Sequence, residues 1–247
     1  MYIILIIIAI KAIIIYGERF MKKILSIAFI LLACGCAGIV FAQQPTPPDQ
    51  KLQDAIHLYD QKMFNDAERA FTELLKINPE NQDYLFWAGM TCLELKKLDD
   101  AEKYADAGIK ANENDPRFMK LKAKVQLERR NYGNAIDLLK DATDLDPKDV
   151  DTWLLLAKAA TSRLEFNLAI DAAEEALELN SKNIDAFQYK CNGLLQMLKF
   201  DKAVKCYEQM LEIDPNNESA KEGKNVAQGR LSESKSGSRI PPNRSPM

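Results

Sequence analysis

The 247-residue chain holds few side chains whose type and spacing suit covalent or acid–base chemistry. Its one histidine, His57, has no cysteine or serine set beside it as a nucleophile, and a lone histidine on an amphipathic segment is read as a packing or surface residue. The carboxylate pairs Asp99-Asp100 and Glu174-Glu175 have the spacing of solvated helix faces. Cys92, Cys191 and Cys206 lack metal-ligand spacing, and there is no glycine-rich phosphate loop or zinc pattern. No cofactor and no metal are expected, and the chain is expected not to be an enzyme. Cys92 and Cys191 read instead as small core residues, and a Cys191–Cys206 disulfide is open to the chain in an oxidising compartment.

The elements that carry these residues repeat. Ala67, Ala101, Ala135, Ala169 and Ala203 lie 34 residues apart, and Ala55, Gly89, Ala123, Ala157 and Cys191 each precede one of them by twelve. A fixed period of this length means one supersecondary unit copied along the chain. Small residues at both positions fit a close crossing of two helices, where a leucine would overpack by ~1–3 kcal/mol. With units counted from Pro48, Gln82, Pro116, Val150 and Ile184, position 17 is always bulky (Phe64, Leu98, Tyr132, Phe166, Phe200) and position 30 always apolar (Ile77, Ala111, Leu145, Leu179, Ile213). Asn or Asp stands at position 31, followed by Pro79, Pro147 or Pro215 in three units, which stops one helix and is tolerated in the first turn of the next. Ala135, Ile136, Leu138, Leu139 and Ala142 show the one-sided helical period. Each unit therefore predicts two helices of about a dozen residues with a tight turn near position 15.

This pattern resembles the tetratricopeptide repeat family over residues 48–217, with repeats at 48–81, 82–115, 116–149, 150–183 and 184–217. Trp153 and Phe187 fill the family's position 4, and Phe71 and Tyr207 its position 24. Lys51 departs at position 4, as do Asp54, Lys122 and Lys190 at position 7; the lysine stems can pack while the ammonium reaches water. The resemblance implies an all-α fold, a right-handed solenoid of five 34-residue helix-turn-helix repeats, closed by a capping helix over 218–231 with few apolar groups. Residues 232–247, rich in Ser, Pro, Arg and Lys, are expected to be a disordered basic tail.

The resemblance also implies a partner-binding groove lined by the first helix of each unit. The positions concerned are Phe86, Trp87 and Met90 in unit two, and Arg117, Lys120 and Lys124 in unit three. Leu154, Leu155 and Lys158 follow in unit four, and Gln188, Tyr189 and Asn192 in unit five. That sets an aromatic shelf beside four cations, the composition of an interface hot spot. Family members that grip a C-terminal carboxylate carry Lys at position 5 and Asn at position 9 of one unit, and no unit here has both. An extended or helical protein segment with acidic and apolar side chains suits this groove better.

The front of the chain differs. Met21-Lys22-Lys23 and the apolar run from Ile24 read as a secretory signal, residues 21–42, with Val40-Phe41-Ala42 offering a cleavage site before Gln43. Residues 1–20 are expected to be upstream sequence read in frame, and 43–47 a proline-rich leader. Leu31-Leu32-Ala33-Cys34 resembles the lipobox of bacterial lipoproteins, so lipidation of Cys34 competes with simple cleavage and with an uncleaved anchor. All three place the repeats outside the cytoplasm, in the periplasm or cell envelope, with the membrane reached only through the anchor or the lipid.

The chain carries −3 overall; the stretch through Ala42 holds four cations against Glu18, which leaves −6 beyond it. Six cations and two acids lie from Lys221 onward, so residues 43–220 stand at −10. Such an array is a poor nucleic-acid binder by bulk electrostatics. The expected role is a scaffold or adaptor of the bacterial envelope; a holdase for exported chains and an accessory activator of an envelope enzyme are the alternatives.

Overall fold

The computed structural model describes residues 48–237, which belong to the second of the two units, 1–46 and 47–247, into which the chain divides. The expected extension 1–20, signal segment 21–42 with Cys34, leader 43–47 and the last ten residues of the tail lie outside the described residues. Within them all regular structure is helical: α1 (Pro48–Asp60), α2 (Phe64–Ile77), α3 (Gln82–Glu94), α4 (Leu98–Ala111), α5 (Pro116–Glu128), α6 (Tyr132–Leu145), α7 (Val150–Ser162), α8 (Phe166–Leu179), α9 (Ile184–Gln196), α10 (Phe200–Ile213) and α11 (Glu218–Gly237). First helices run 13 residues and second helices 14, in register with the 34-residue period.

Local chemistry explains each boundary. Position 34 is always Asn or Asp, and its side chain caps the next first helix: Asn81 accepts from the Tyr84 N–H at 3.0 Å, Asn183 from Ala186 at 2.9 Å and Asn217 from Ala220 at 3.0 Å. Asp115 and Asp149 cap α5 and α7 in the same way, satisfying backbone donors that a helix start leaves free. Position 31 ends the preceding helix, and its side chain accepts from the N–H two residues on, as Asp146 does from Lys148 at 3.2 Å. Pro79, Pro147 and Pro215 therefore sit in the connecting turn, ahead of the next helix rather than in its first turn, because the position-34 cap starts that helix later.

Between the two helices of a pair, position 15 is left-handed: Lys62, Lys96, Arg130, Leu164 and Leu198 all have φ between 58° and 64°. Lys62 N–H bonds Tyr59 C=O at 2.8 Å and Met63 N–H bonds Leu58 C=O at 2.9 Å, and the other four turns repeat this pairing. Glycine is the usual tenant of such a site; a side chain there costs ~1–2 kcal/mol.

Packing follows from the small pairs. Ala55 and Ala67, Ala123 and Ala135, Ala157 and Ala169, and Cys191 and Ala203 are wholly buried where the helices of each pair cross. A Cβ on Gly89 would lie 2.5 Å from Leu121 Cδ2 of the next pair, so Leu121 would have to shift to admit one. The second helix of each pair packs on the first helix of the next pair, and successive first helices also touch, whereas second helices do not touch one another. The first helices therefore line the tighter, inner side of the array. Position 30 is apolar but lies at the outer end of the second helix, leaving Ile77, Leu145 and Leu179 exposed.

Three of the five junctions between pairs carry one repeated ion pair. The position-7 lysine reaches back sixteen residues: Lys122 to Asp106 at 2.7 Å, Lys190 to Glu174 at 2.9 Å and Lys224 to Glu208 at 3.0 Å. At the other two junctions position 7 is buried Ala88 or Leu156. The Cys191–Cys206 disulfide joins α9 to α10, with Cα atoms 5.4 Å apart. The array ends on α11, where Gly223 lets the helix sit on Tyr207: a Cβ there would be 2.3 Å from the ring. α11 continues to Gly237, six residues past the expected end at 231, so 232–237 are helix rather than tail. Those residues hold no strong helix breaker before Gly237, which allows the helix to run on.

Candidate protein-binding face

The inner side is built by α1, α3, α5, α7 and α9, and its front half is aromatic. Phe64, Tyr59, Trp87, Phe86 and Phe118 form an edge-to-face chain with centroids 5.2–6.2 Å apart. Tyr59 stands on α1, the first helix of unit one, and joins this chain although no groove residue was expected from that unit. Burial, then the nearby Glu94 carboxylate, pushes its phenol up to about 12.

Arg117 closes this chain, with its guanidinium 5.4 Å from the Phe86 ring centre. Its charge is already answered. Nη2 bonds Asp115 Oδ2 at 2.7 Å, Nε reaches the same carboxylate at 3.1 Å, and Nη1 bonds Asp83 Oδ1 at 2.9 Å. Burial alone would raise the Asp115 pKa, but the hydrogen bonds from Arg117 outweigh it and hold the carboxyl below its ordinary range. Lys120 bonds Asp149 Oδ2 at 2.5 Å, and Asp149 also accepts from the Thr152 hydroxyl at 2.6 Å. Two of the four cations of the expected shelf are thus internal struts: Arg117 ties the cap of α5 to Asp83 in the first turn of α3, and Lys120 ties α5 to Asp149, the cap of α7.

Lys124 and Lys158 remain, neither in an ion pair among the described residues. Burial, then Lys120, lowers the Lys124 pKa. Both line a depression of about 290 Å³ with Met90, Leu93, Leu127 and Leu155, rimmed by Glu94 and by the Lys96–Glu128 ion pair. Three first helices meet there, so four of the expected groove residues converge. Phe86 and Trp87 stand in the aromatic chain, and Leu154 and Tyr189 are half-buried outside the depression. At the far end Asn192 accepts from the Tyr207 hydroxyl of α10 at 2.6 Å, and Gln188 accepts from Ser219 of the closing helix at 2.9 Å. Glu94 and Glu128, which the sequence reading does not place in the groove, end α3 and α5 on the rim of the depression. His57 is exposed and bonds only Gln61, one turn on, at 2.9 Å.

What such a face can do chemically is bind: an apolar floor, two available ammonium groups and a rigid aromatic border. Among the described residues no cluster of potential metal ligands occurs, and no helix is long and apolar enough to cross a membrane.

Comparison with known proteins agrees with this architecture. Models of the tetratricopeptide repeat match residues 58–125, 120–184 and 194–217. No curated protein matches the sequence significantly. Among solved structures, the form of MamA from Desulfovibrio magneticus RS-1 that runs from residue 41 to the end is 17% identical, with a TM-score of 0.62 over 69% of this chain and 97% of that one. YrrB, described as a tetratricopeptide protein with an unusual peptide-binding site, is 14% identical, with a TM-score of 0.60 over 71% and 90%. TTC0263, a protein of Thermus thermophilus, is 19% identical, with a TM-score of 0.57 over 74% and 99%. At these identities the likeness is one of fold. Period, packing and family models agree, and the chain belongs to the tetratricopeptide repeat family of protein–protein interaction scaffolds.

Proposed function

We propose that this protein is a non-catalytic adaptor of the bacterial cell envelope that receives a partner segment, apolar with acidic side chains, on the inner face of its array. The carrying observation is the depression shared by α3, α5 and α7, where Met90, Leu93, Leu127 and Leu155 form the floor and Lys124 and Lys158 stand in no ion pair among the described residues. Apolar side chains of the segment fill the floor, and its carboxylates meet the two ammonium groups, which set register and orientation. The peptide-binding site named for YrrB, of the same fold, supports use of the scaffold in this way. Location outside the cytoplasm is supported by the signal-like segment at 21–42 and by the Cys191–Cys206 bond, since such bonds persist in oxidising compartments.

The test is capture from crosslinked host envelope by the tagged protein, beside a Lys124→Glu/Lys158→Glu variant and a Lys140→Glu control on α6. A stoichiometric partner lost only in the double variant is the expected result. A partner held equally by all three moves binding off this face, and a broad smear of unfolded clients identifies a holdase instead.

A further inference from the structure

The two most exposed large apolar side chains among the described residues are Leu164 and Leu198, 72% and 71% exposed. Both occupy the left-handed position 15, where the first three turns carry Lys62, Lys96 and Arg130. A leucine there combines backbone strain with an apolar tip in water, two local penalties in the same place, repeated on adjacent turns. Such paired violations mark contact surfaces rather than folding elements.

Their surroundings narrow the contact. Leu198 is followed by Lys199, and one exposed face of α10 continues with Lys202 and Lys205; none of the three has an ion pair among the described residues. They line a groove of about 410 Å³ between α8, α9 and α10, together with Lys190 and with Asn167, three residues after Leu164. The acids lining it are Asp171 and Glu174, and Glu174 is held by Lys190. On an array of charge −10 this is a local excess of cations set beside two protruding leucines. α11 is seven residues longer than the other first helices, about 10 Å of added helix.

We infer that the edge formed by the α7–α8 and α9–α10 turns docks on an anionic phospholipid surface, Leu164 and Leu198 entering the headgroup layer while Lys199, Lys202 and Lys205 meet lipid phosphates. The two leucines project from the turns rather than lining the groove, which suits entry into a headgroup layer, and the lysines beside them supply the complementary charge. Shallow apolar insertion flanked by lysines is the physics of interfacial attachment to charged leaflets.

The experiment uses the full-length chain on vesicles of phosphatidylcholine, with or without about 30 mol % phosphatidylglycerol, containing lipids brominated near the acyl carbonyls. Because the N-terminal apolar runs are common to every sample, the readout is local: the emission gained by Leu198→Trp, with Ile77→Trp at the opposite edge as reference. Expected is about twofold or greater quenching of the position-198 probe on anionic vesicles only, with position 77 unquenched. That quenching disappears in Lys199→Glu/Lys202→Glu/Lys205→Glu, whose exposed substitutions leave the helical circular dichroism unchanged. Equal quenching on both vesicles, none on either, or quenching that survives the triple variant overturns the inference. So does protection of the position-198 probe by an acidic protein partner in the absence of lipid.

Discussion

The junction between the second and third helix pairs and the crossing within the fourth pair bring helices together by different means. The first is specific: Phe118 fills the space beside Gly108, Arg117 ties Asp83 to Asp115, and Arg129 binds Asp99 at 2.6 Å and also Glu102. Around α7 and α8, Ala157, Ala159, Ala160, Ala169, Ala172 and Ala173 are buried almost completely, and closeness of backbones replaces side-chain recognition. A 34-residue period thus fixes where helices cross without fixing what holds neighbours together. The binding face straddles this change, with a stitched aromatic wall on one side and a smooth alanine-backed wall on the other.

The largest effect that would break the comparison is at Phe118. Its ring is fully buried, and Phe118→Ala should destabilise by about 3–5 kcal/mol, read as a lowered midpoint in denaturant unfolding. Next comes the far end: Cys206→Ser removes a cross-link closing a fifteen-residue separation, and oxidised wild type should exceed it by about 3 kcal/mol, with the gap closing under reductant. In the alanine region, Ala157→Leu should cost ~1–3 kcal/mol by overpacking, while Arg129→Met at the stitched junction should cost less because Asp99, one of its two partners, is largely solvated and the methionine keeps much of the packed stem. If the two come out in reverse order, charge rather than shape holds the array. Leu164→Gly should stabilise by about 1 kcal/mol by relieving the left-handed turn, seen as a raised melting temperature. The smallest expected effect is one of pH. Asp115 and Asp149 have folded pKa values below their ordinary range, so their contribution is fully present above the unfolded pKa and is lost as pH falls through it towards the folded value. Unfolding at pH 3 should lose this margin, and Arg117→Met should shrink the loss.

Much of the fold was legible because one period repeats five times: Ala67 to Ala203 and their partners set every crossing, and the boundaries of α1 to α10 follow from them. The row of Asn and Asp at position 34 was equally visible, and it explains why the prolines fall in turns. The left-handed turns were not visible, because Lys, Arg and Leu stand where glycine would have announced them. The site was harder to see. Arg117, Lys120 and Lys124 share one helix face by spacing, but Asp83 and Asp149, the acids that answer two of them, lie 34 and 29 residues away in sequence. Charge pairing between successive units is a property of stacking, and a single-helix pattern does not contain it. The Lys122–Asp106 type of pair has a sixteen-residue offset that recurs three times, a signal that comparison of units could have found.

That offset also bears on how such a protein changes length. α11 engages the unit before it through Lys224 and Glu208, the same handshake that Lys190 and Glu174 make one unit earlier. Its N-cap, Asn217, occupies the same slot as Asn183. To unit five, the closing helix is indistinguishable from the start of a sixth repeat, except that its outward side carries little to bury. A duplicated copy of residues 184–217 placed before Glu218 would therefore meet matching partners at both of its ends. The chain ends like a zipper with a stop sewn onto ordinary teeth, and its reach is set by how many times one segment was copied.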